Sequence, residues 1–217
     1  MTDLEFDVLD LRPEPYAAAP TLLARVRLTQ PEGAAVHAVV LRAQIRIDAQ
    51  RRGYTDAEKA GLLDLFGAPE RWGETVRPFV WTHAATTVQG FTGSTEVDLP
   101  VPCTYDLEVA GSKYLHALSD GVVPLAFLFA GTVFSRTSVD GRPAFGVTQI
   151  PWHRDAAYRM PVRVWRELMA QHFPNTGWLR VDTRTLGQLQ RYKSRRALPT
   201  WEEAFAALLK DAGVEPE

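Results

Sequence analysis

The feature that most restricts the fold is a clear alternation of apolar and polar residues between positions 39 and 47. The inward set is Val39, Leu41, Ala43, Ile45 and Ile47, and polar residues of the outward set include Arg42, Gln44 and Arg46. Successive side chains of a β-strand point to opposite faces, so this period of two predicts one buried face and one wet face. Strands with one wet face are typical of antiparallel sheets.

Further strand signals follow along most of the first 150 residues. Strand character is found at residues 4–8, 22–28, 79–88, 95–101 and 105–109. The run 124–134 is apolar at both alternating sets of positions, which predicts a central strand covered on both faces. This strand can pair with residues 145–150 across Asp140–Gly141, a turn dipeptide that tolerates positive φ.

Helix signals are concentrated after Trp152, with one exception. The exception is Thr55–Glu58, which has the pattern of a capping box and predicts a helix near residues 55–66. Beyond Trp152, Pro161 can begin a helix that reaches Phe173, and two further helices start after Asp182 or Thr183 and at Thr200. We therefore expect residues 158–213 to be mostly helical.

These patterns predict an α+β fold with an antiparallel sheet or sandwich over about residues 1–150 and C-terminal helices packed on it. The helical part is marginal for a core of its own, and no low-complexity linker separates it from the strands. We therefore expect a single domain over residues 1–217, with residues 1–152 mostly β.

Composition excludes several classes of function. The formal net charge is −2 and the isoelectric point is about 6.2, which does not favour nucleic-acid binding. The longest apolar run, Val122–Val133, falls short of the roughly 20 residues that a membrane helix needs. Cys103 is the only cysteine, and the first residues lack a signal-peptide pattern. These observations predict a cytoplasmic protein without a membrane span.

No motif supports catalysis or metal binding. The five histidines are dispersed, and none has a second ligand at helical spacing, although a site assembled through space stays open. Two carboxylate pairs, Glu96 with Asp98 and Asp106 with Glu108, have strand spacing and are best explained as a solvated face. Cys103 has no local base. The basic run 191–196 follows a helix and is flanked by acids. We predict no catalytic residue, no metal site and no cofactor.

Trp152, His153 and Arg154 form the one segment with a candidate binding role. They follow a predicted strand and show neither helical nor strand periodicity. An aromatic residue beside histidine and arginine in a loop is typical of protein interfaces. The alternative, which the sequence favours for Trp152, is a hinge residue that packs the helices onto the sheet.

Several segments between residues 123 and 206 are distinctive: 123–134, Ile150–Pro151–Trp152, Met160–Trp165, His172–Asn175 and Thr200–Ala204. They resemble an uncharacterised actinobacterial family of unknown function, and the similarity is most specific over residues 123–206. Members of this family are encoded near high-affinity uptake nickel–iron hydrogenase genes. The resemblance implies an accessory role in assembly, stabilisation or scaffolding of the hydrogenase, with hydrogenase subunits as candidate partners, and it implies no catalytic residue.

Two hypotheses of function remain. The first is a non-enzymatic accessory, scaffold or chaperone-like protein that binds another polypeptide. The second is a small-molecule-binding protein or enzyme with a pocket between sheet and helices. An exposed contiguous apolar patch favours the first, and a closed apolar cavity with convergent polar groups favours the second.

Overall fold

The computed structural model describes residues 4–31, 34–139 and 142–214. It confirms the α+β prediction. Three antiparallel strands form one sheet in the order β1–β2–β5, namely β1 (Glu5–Pro13), β2 (Thr21–Thr29) and β5 (Ser94–Pro102). Five strands form a second antiparallel sheet, namely β3 (Val36–Ile47), β4 (Phe79–Phe91), β6 (Val122–Val139), β7 (Arg142–Gln149) and β8 (Asp155–Pro161).

Strand β6 is the centre of the five-stranded sheet. It pairs with β3 along one edge, and β3 pairs in turn with β4. Along its other edge β6 pairs with β8 over Val122–Leu128 and with β7 over Thr132–Val139. The predicted pairing of this strand with the segment that contains residues 145–149 is therefore confirmed. The turn Asp140–Gly141 lies outside the described residues.

The two sheets share one hydrophobic core, as in a β-sandwich. The Phe6 ring of β1 stacks on the Phe129 ring of β6, with centroids 4.4 Å apart. The alternating apolar residues of β3 are buried in this core, as the sequence predicted. Phe127 and Phe129, two residues apart on β6, are also buried there.

Seven α-helices accompany the strands: α1 (Asp56–Gly61), α2 (Leu63–Phe66), α3 (Trp72–Thr75), α4 (Ala110–Ala117), α5 (Val162–His172), α6 (Thr183–Arg195) and α7 (Trp201–Asp211) within the described ranges. The capping box is confirmed, because Thr55 Oγ1 accepts from the Glu58 amide while Glu58 Oε2 accepts from the Thr55 amide. Helix α5 begins after Pro161 and contributes Trp165 and Leu168 to the core.

A buried ion pair fixes the chain before β6. Arg52 Nη2 lies 2.9 Å from Glu58 Oε1, which also accepts from the backbone and hydroxyl of Ser119. Burial raises the pKa of Glu58, but the hydrogen bonds from Thr55 and Ser119 and the Arg52 guanidinium outweigh it and hold the pKa below its usual value. Arg52 also donates to the carbonyl of Val122, the first residue of β6.

Two local predictions are wrong, and one strand was not predicted. Residues 105–109 are not a strand: Asp106 Oδ1 accepts from the Glu108 amide in a turn before α4. Residues 155–161 form the strand that was not predicted, β8, because the free edge of β6 offers them a ladder. The second wrong prediction concerns β6, which is not covered on both faces by the unit that contains it. The helices α4 and α5 pack against β4, β1 and β8 instead.

By their internal contacts the residues fall into two compact units, Met1–Trp178 and Leu179–Glu217. The first contains both sheets and α1–α5. The second contains α6, capped by Asp182, and α7, capped by Thr200, as predicted. Among the described residues of the second unit only Ala204 is buried. A single domain over residues 1–217 stays a prediction.

Truncation after Trp178 tests how far the domain extends. Because all other buried apolar side chains belong to residues 4–178, we expect the truncated chain to unfold cooperatively, with a loss of stability below about 2 kcal/mol. Urea unfolding followed by near-ultraviolet circular dichroism measures this. A truncated chain without a cooperative transition would show instead that residues 179–217 belong to the same folding unit.

Candidate functional site

The predicted segment Trp152–Arg154 lies in a loop that interrupts one edge of the five-stranded sheet. The amide of Ile150 donates to the carbonyl of Gly131, and the carbonyl of Arg154 accepts from the amide of Phe129. Strands β7 and β8 therefore continue along the same edge of β6, and residues 151–153 bulge outward between them. The Arg154 amide donates to the Pro151 carbonyl at 3.1 Å and closes the loop.

The backbone beneath this loop requires glycine. Gly131 has a φ of 146°, and a Cβ atom there would lie 2.0 Å from the carbonyl oxygen of Val40 on β3. No side chain fits at that distance, because the obstacle is backbone and cannot rotate away. Glycine at this position allows β6 and β3 to approach closely. The same residue accepts the hydrogen bond from Ile150, just before the loop begins.

The three predicted residues have different surroundings. Trp152 is 90% exposed, His153 is exposed, and their rings meet edge to face at 5.8 Å. Arg154 is half-buried and faces other groups of the protein. The interpretation of Trp152 as a core hinge is wrong, because its side chain is exposed in the loop between β7 and β8 and is not packed between the helices and the sheet. A role in partner binding stays a prediction for all three.

The loop borders the outer face of the five-stranded sheet, which combines outward polar residues of β3 with apolar residues of β6 and β7. The outward residues of β6 are Ala126, Leu128, Ala130, Thr132 and Phe134, and all are exposed or half-buried. At one level of the sheet Ala38, Phe134 and Val147 are cross-strand neighbours. Val147 is 58% exposed and Phe145, two residues away on β7, is 63% exposed. We call the apolar outward residues of these three strands the outer apolar face: Ala38, Val40, Ala126, Leu128, Ala130, Phe134, Phe145 and Val147.

A cleft of about 430 Å³ lies where this face meets the loop. Its apolar lining includes Ala126 and Leu128 from β6 and the ring of Trp152. The charged and polar residues of the lining are Arg46, Asp48, Gln50, Arg51, His153 and Asp155. Asp48 and Arg51 form an ion pair at 3.6 Å. Both signs of charge are present, so the cleft has no strong preference for an anion or a cation.

Residues that could have carried other chemistry have structural roles. Glu96 lies 2.8 Å from Arg27, and Asp98 lies 2.9 Å from Arg25, in cross-strand ion pairs on the wet face of the three-stranded sheet. This confirms the solvated face predicted for the first carboxylate pair. Burial raises the pKa of the Cys103 thiol to about 12, so thiolate is scarce at neutral pH.

Neither a metal cluster nor a membrane helix is found in the described ranges 4–31, 34–139 and 142–214. No three histidine, cysteine or acidic side chains there are grouped as metal ligands. No helix in the same ranges has the length and apolarity to cross a bilayer.

Phe145 and Val147 were not singled out from the sequence as binding residues. An indirect signal for them was the run 124–134, with which residues 145–150 were predicted to pair. Both apolar faces of that run were attributed to burial. One of these faces turned out to be the outer apolar face, and β7 extends it. The cleft could not be foreseen, because Arg46 and Asp155 are far apart along the chain.

The model of the family of unknown function DUF6084 matches residues 1–217. The chain belongs to this family. No curated protein matches the chain. Two crystal structures of β-glucosidase from Kluyveromyces marxianus, one with selenomethionine and one with glucose, show 8% and 11% identity and TM-scores of 0.24 and 0.23. Each alignment covers 73% of this chain and 15% of the glucosidase. Likeness at this level carries no argument about DUF6084.

The exposure of Trp152 leads to a stability test. Replacing it with alanine should change the free energy of unfolding by less than about 0.5 kcal/mol, because the ring contacts little besides His153. The matched control is Trp165→Ala, which removes a ring that is 3% exposed and should cost about 3–5 kcal/mol. Chemical denaturation of both variants gives the comparison. Equal losses would place Trp152 in the core.

Proposed function

We propose that this chain is a non-enzymatic accessory protein that binds another polypeptide through the outer apolar face and the Trp152 loop. The observation that carries the proposal is the asymmetry of β6. Its inner face is buried, while its outer face, which is also largely apolar, remains partly open to solvent. Large exposed apolar patches on a soluble fold are typical of interaction surfaces.

The geometry of this face suits a protein partner. A sheet presents a broad, fixed surface, so little conformational entropy is lost when it is covered. Trp152 at the border is of the residue type most enriched among interface residues that dominate binding energy. His153, Arg46 and Asp155 supply a polar rim beside the apolar centre, which is the usual arrangement of an interface.

The resemblance to proteins encoded near uptake nickel–iron hydrogenase genes makes hydrogenase subunits the first partners to test. In this proposal the chain supports the assembly or stability of the hydrogenase by covering a complementary apolar surface until the subunits meet. It transfers no group and holds no metal in that role.

A second candidate is the binding of a small molecule in the cleft beside Trp152. The observation that favours it is the combination in one cleft of Trp152, the apolar residues Ala126 and Leu128, and charged groups from three segments. This cleft lies on the outer face of the sheet, whereas the sequence suggested a pocket between sheet and helices. A ligand bound there would compete with a polypeptide for the same residues.

Pull-down of purified hydrogenase subunits by the full chain tests the proposal. Val147→Asp should weaken capture at least about tenfold, because a carboxylate beside Phe134 on this face must be desolvated on binding. The control is Leu63→Asp, at a residue of similar exposure on helix α2 and not on this sheet. Loss of capture with both variants, or with neither, contradicts a role for the outer apolar face. Absence of capture by the unmodified chain removes the hydrogenase as partner.

A further inference from the structure

The unit Leu179–Glu217 carries a second unpartnered surface, on helix α7. The contacts between the C-terminal ends of α6 and α7 are polar: Arg196 Nη2 lies 2.9 Å from Asp211 Oδ2, and the Tyr192 hydroxyl donates to the same oxygen. Lys193 lies over the ring of Trp201, with its Nζ 5.8 Å from the ring centroid. Units of fewer than about 40 residues usually need a staple or an oligomeric partner to be stable.

One face of α7 remains open. A groove of about 610 Å³ lies along it and is lined by residues at intervals of three and four, which share one side of a helix, including Glu202, Phe205, Ala206, Leu209, Lys210 and Gly213. Phe205 is 38% exposed and Leu209 is 52% exposed. Ala206 and Gly213 are small, so another helix can approach the backbone closely between the larger side chains.

The charges on this face make it complementary to itself. Glu202 stands at the start of the helix and Lys210 near its end, and neither forms an ion pair within the described part of the unit. When two copies of α7 lie antiparallel, Glu202 of each copy is opposite Lys210 of the second copy. The same arrangement places Phe205 against Leu209 of the second copy and aligns the helix dipoles favourably.

We propose that this face of α7 binds the same face of a second copy of this chain, antiparallel and about a twofold axis, so that the protein is a homodimer. A twofold interface uses the same patch on both copies, so a residue of the first copy that contacts a given residue of the second is itself contacted in the reverse sense. The acidic start, apolar centre and basic end of α7 meet this requirement only in the antiparallel direction.

Sedimentation equilibrium of the full chain tests the apolar part of the interface. The unmodified chain should be a dimer, and Leu209→Asp should be a monomer, because each copy would bury a carboxylate against Phe205 of the other copy. Leu63→Asp is the matched control, since Leu63 is 49% exposed on helix α2, and it should remain a dimer. An unmodified chain that stays monomeric, or a Leu209→Asp chain that stays dimeric, overturns the proposal.

Charge exchange tests the direction of the helices. Glu202→Lys leaves basic side chains at both ends of the face, and Lys210→Glu leaves acidic ones, so each variant alone should dimerise about tenfold more weakly. An equimolar mixture of the two should regain the original affinity as a heterodimer, because both ends are again complementary. Circular dichroism shows whether each variant keeps its helices. Two folded variants that gain nothing on mixing would exclude the antiparallel pairing of α7 with itself.

Discussion

The backbone ladder between β3 and β6 is the interaction on which the rest of the structure depends. It runs from Val36 opposite Ser135 to Ile47 opposite Leu125 and fixes which side chains of both strands point inward. A shift of one residue would exchange the two faces. In the observed register Ala43 and Phe129 enter the core, whereas their chain neighbours Arg42 and Ala130 point outward. The stack of Phe6 on Phe129 then joins the second sheet to the first.

The same ladder leads to the proposed function. Because β6 is central and its free edge is shared by β7 and β8, the chain between them must leave the sheet, and it leaves with Trp152 exposed. The inner face satisfies the need for a core, so folding alone does not explain apolar residues on the outer face. Exposed apolar surface of this kind is usually kept for a partner. The carboxylates of Glu96 and Asp98 are paired with arginines on the three-stranded sheet, where they join neighbouring strands.

The elements that sequence predicted correctly have strong local signals. Alternation over residues 39–47 gave β3, and capping residues gave the starts of α1, α6 and α7. The failures required knowledge of distant pairing. Residues 155–161 form a strand because β6 offers an edge to pair with. The two apolar faces of β6 were interpreted as complete burial, because a polarity pattern does not show which elements cover a face. For the same reason the sequence indicated the Trp152 segment but could not decide between exposure and burial.

The central claim is that β6 is covered on one face only, and one pair of alanines tests it most directly. Ala130 and Ala43 lie on adjacent strands and opposite faces, with Ala130 exposed and Ala43 only 1% exposed. The free energy of unfolding should fall by less than about 1 kcal/mol for Ala130→Asp, and by about 3 kcal/mol or more for Ala43→Asp, where a carboxylate enters the core. A loss at Ala130 as large as that at Ala43 would mean that the outer face is covered by the chain itself and is not available to a partner.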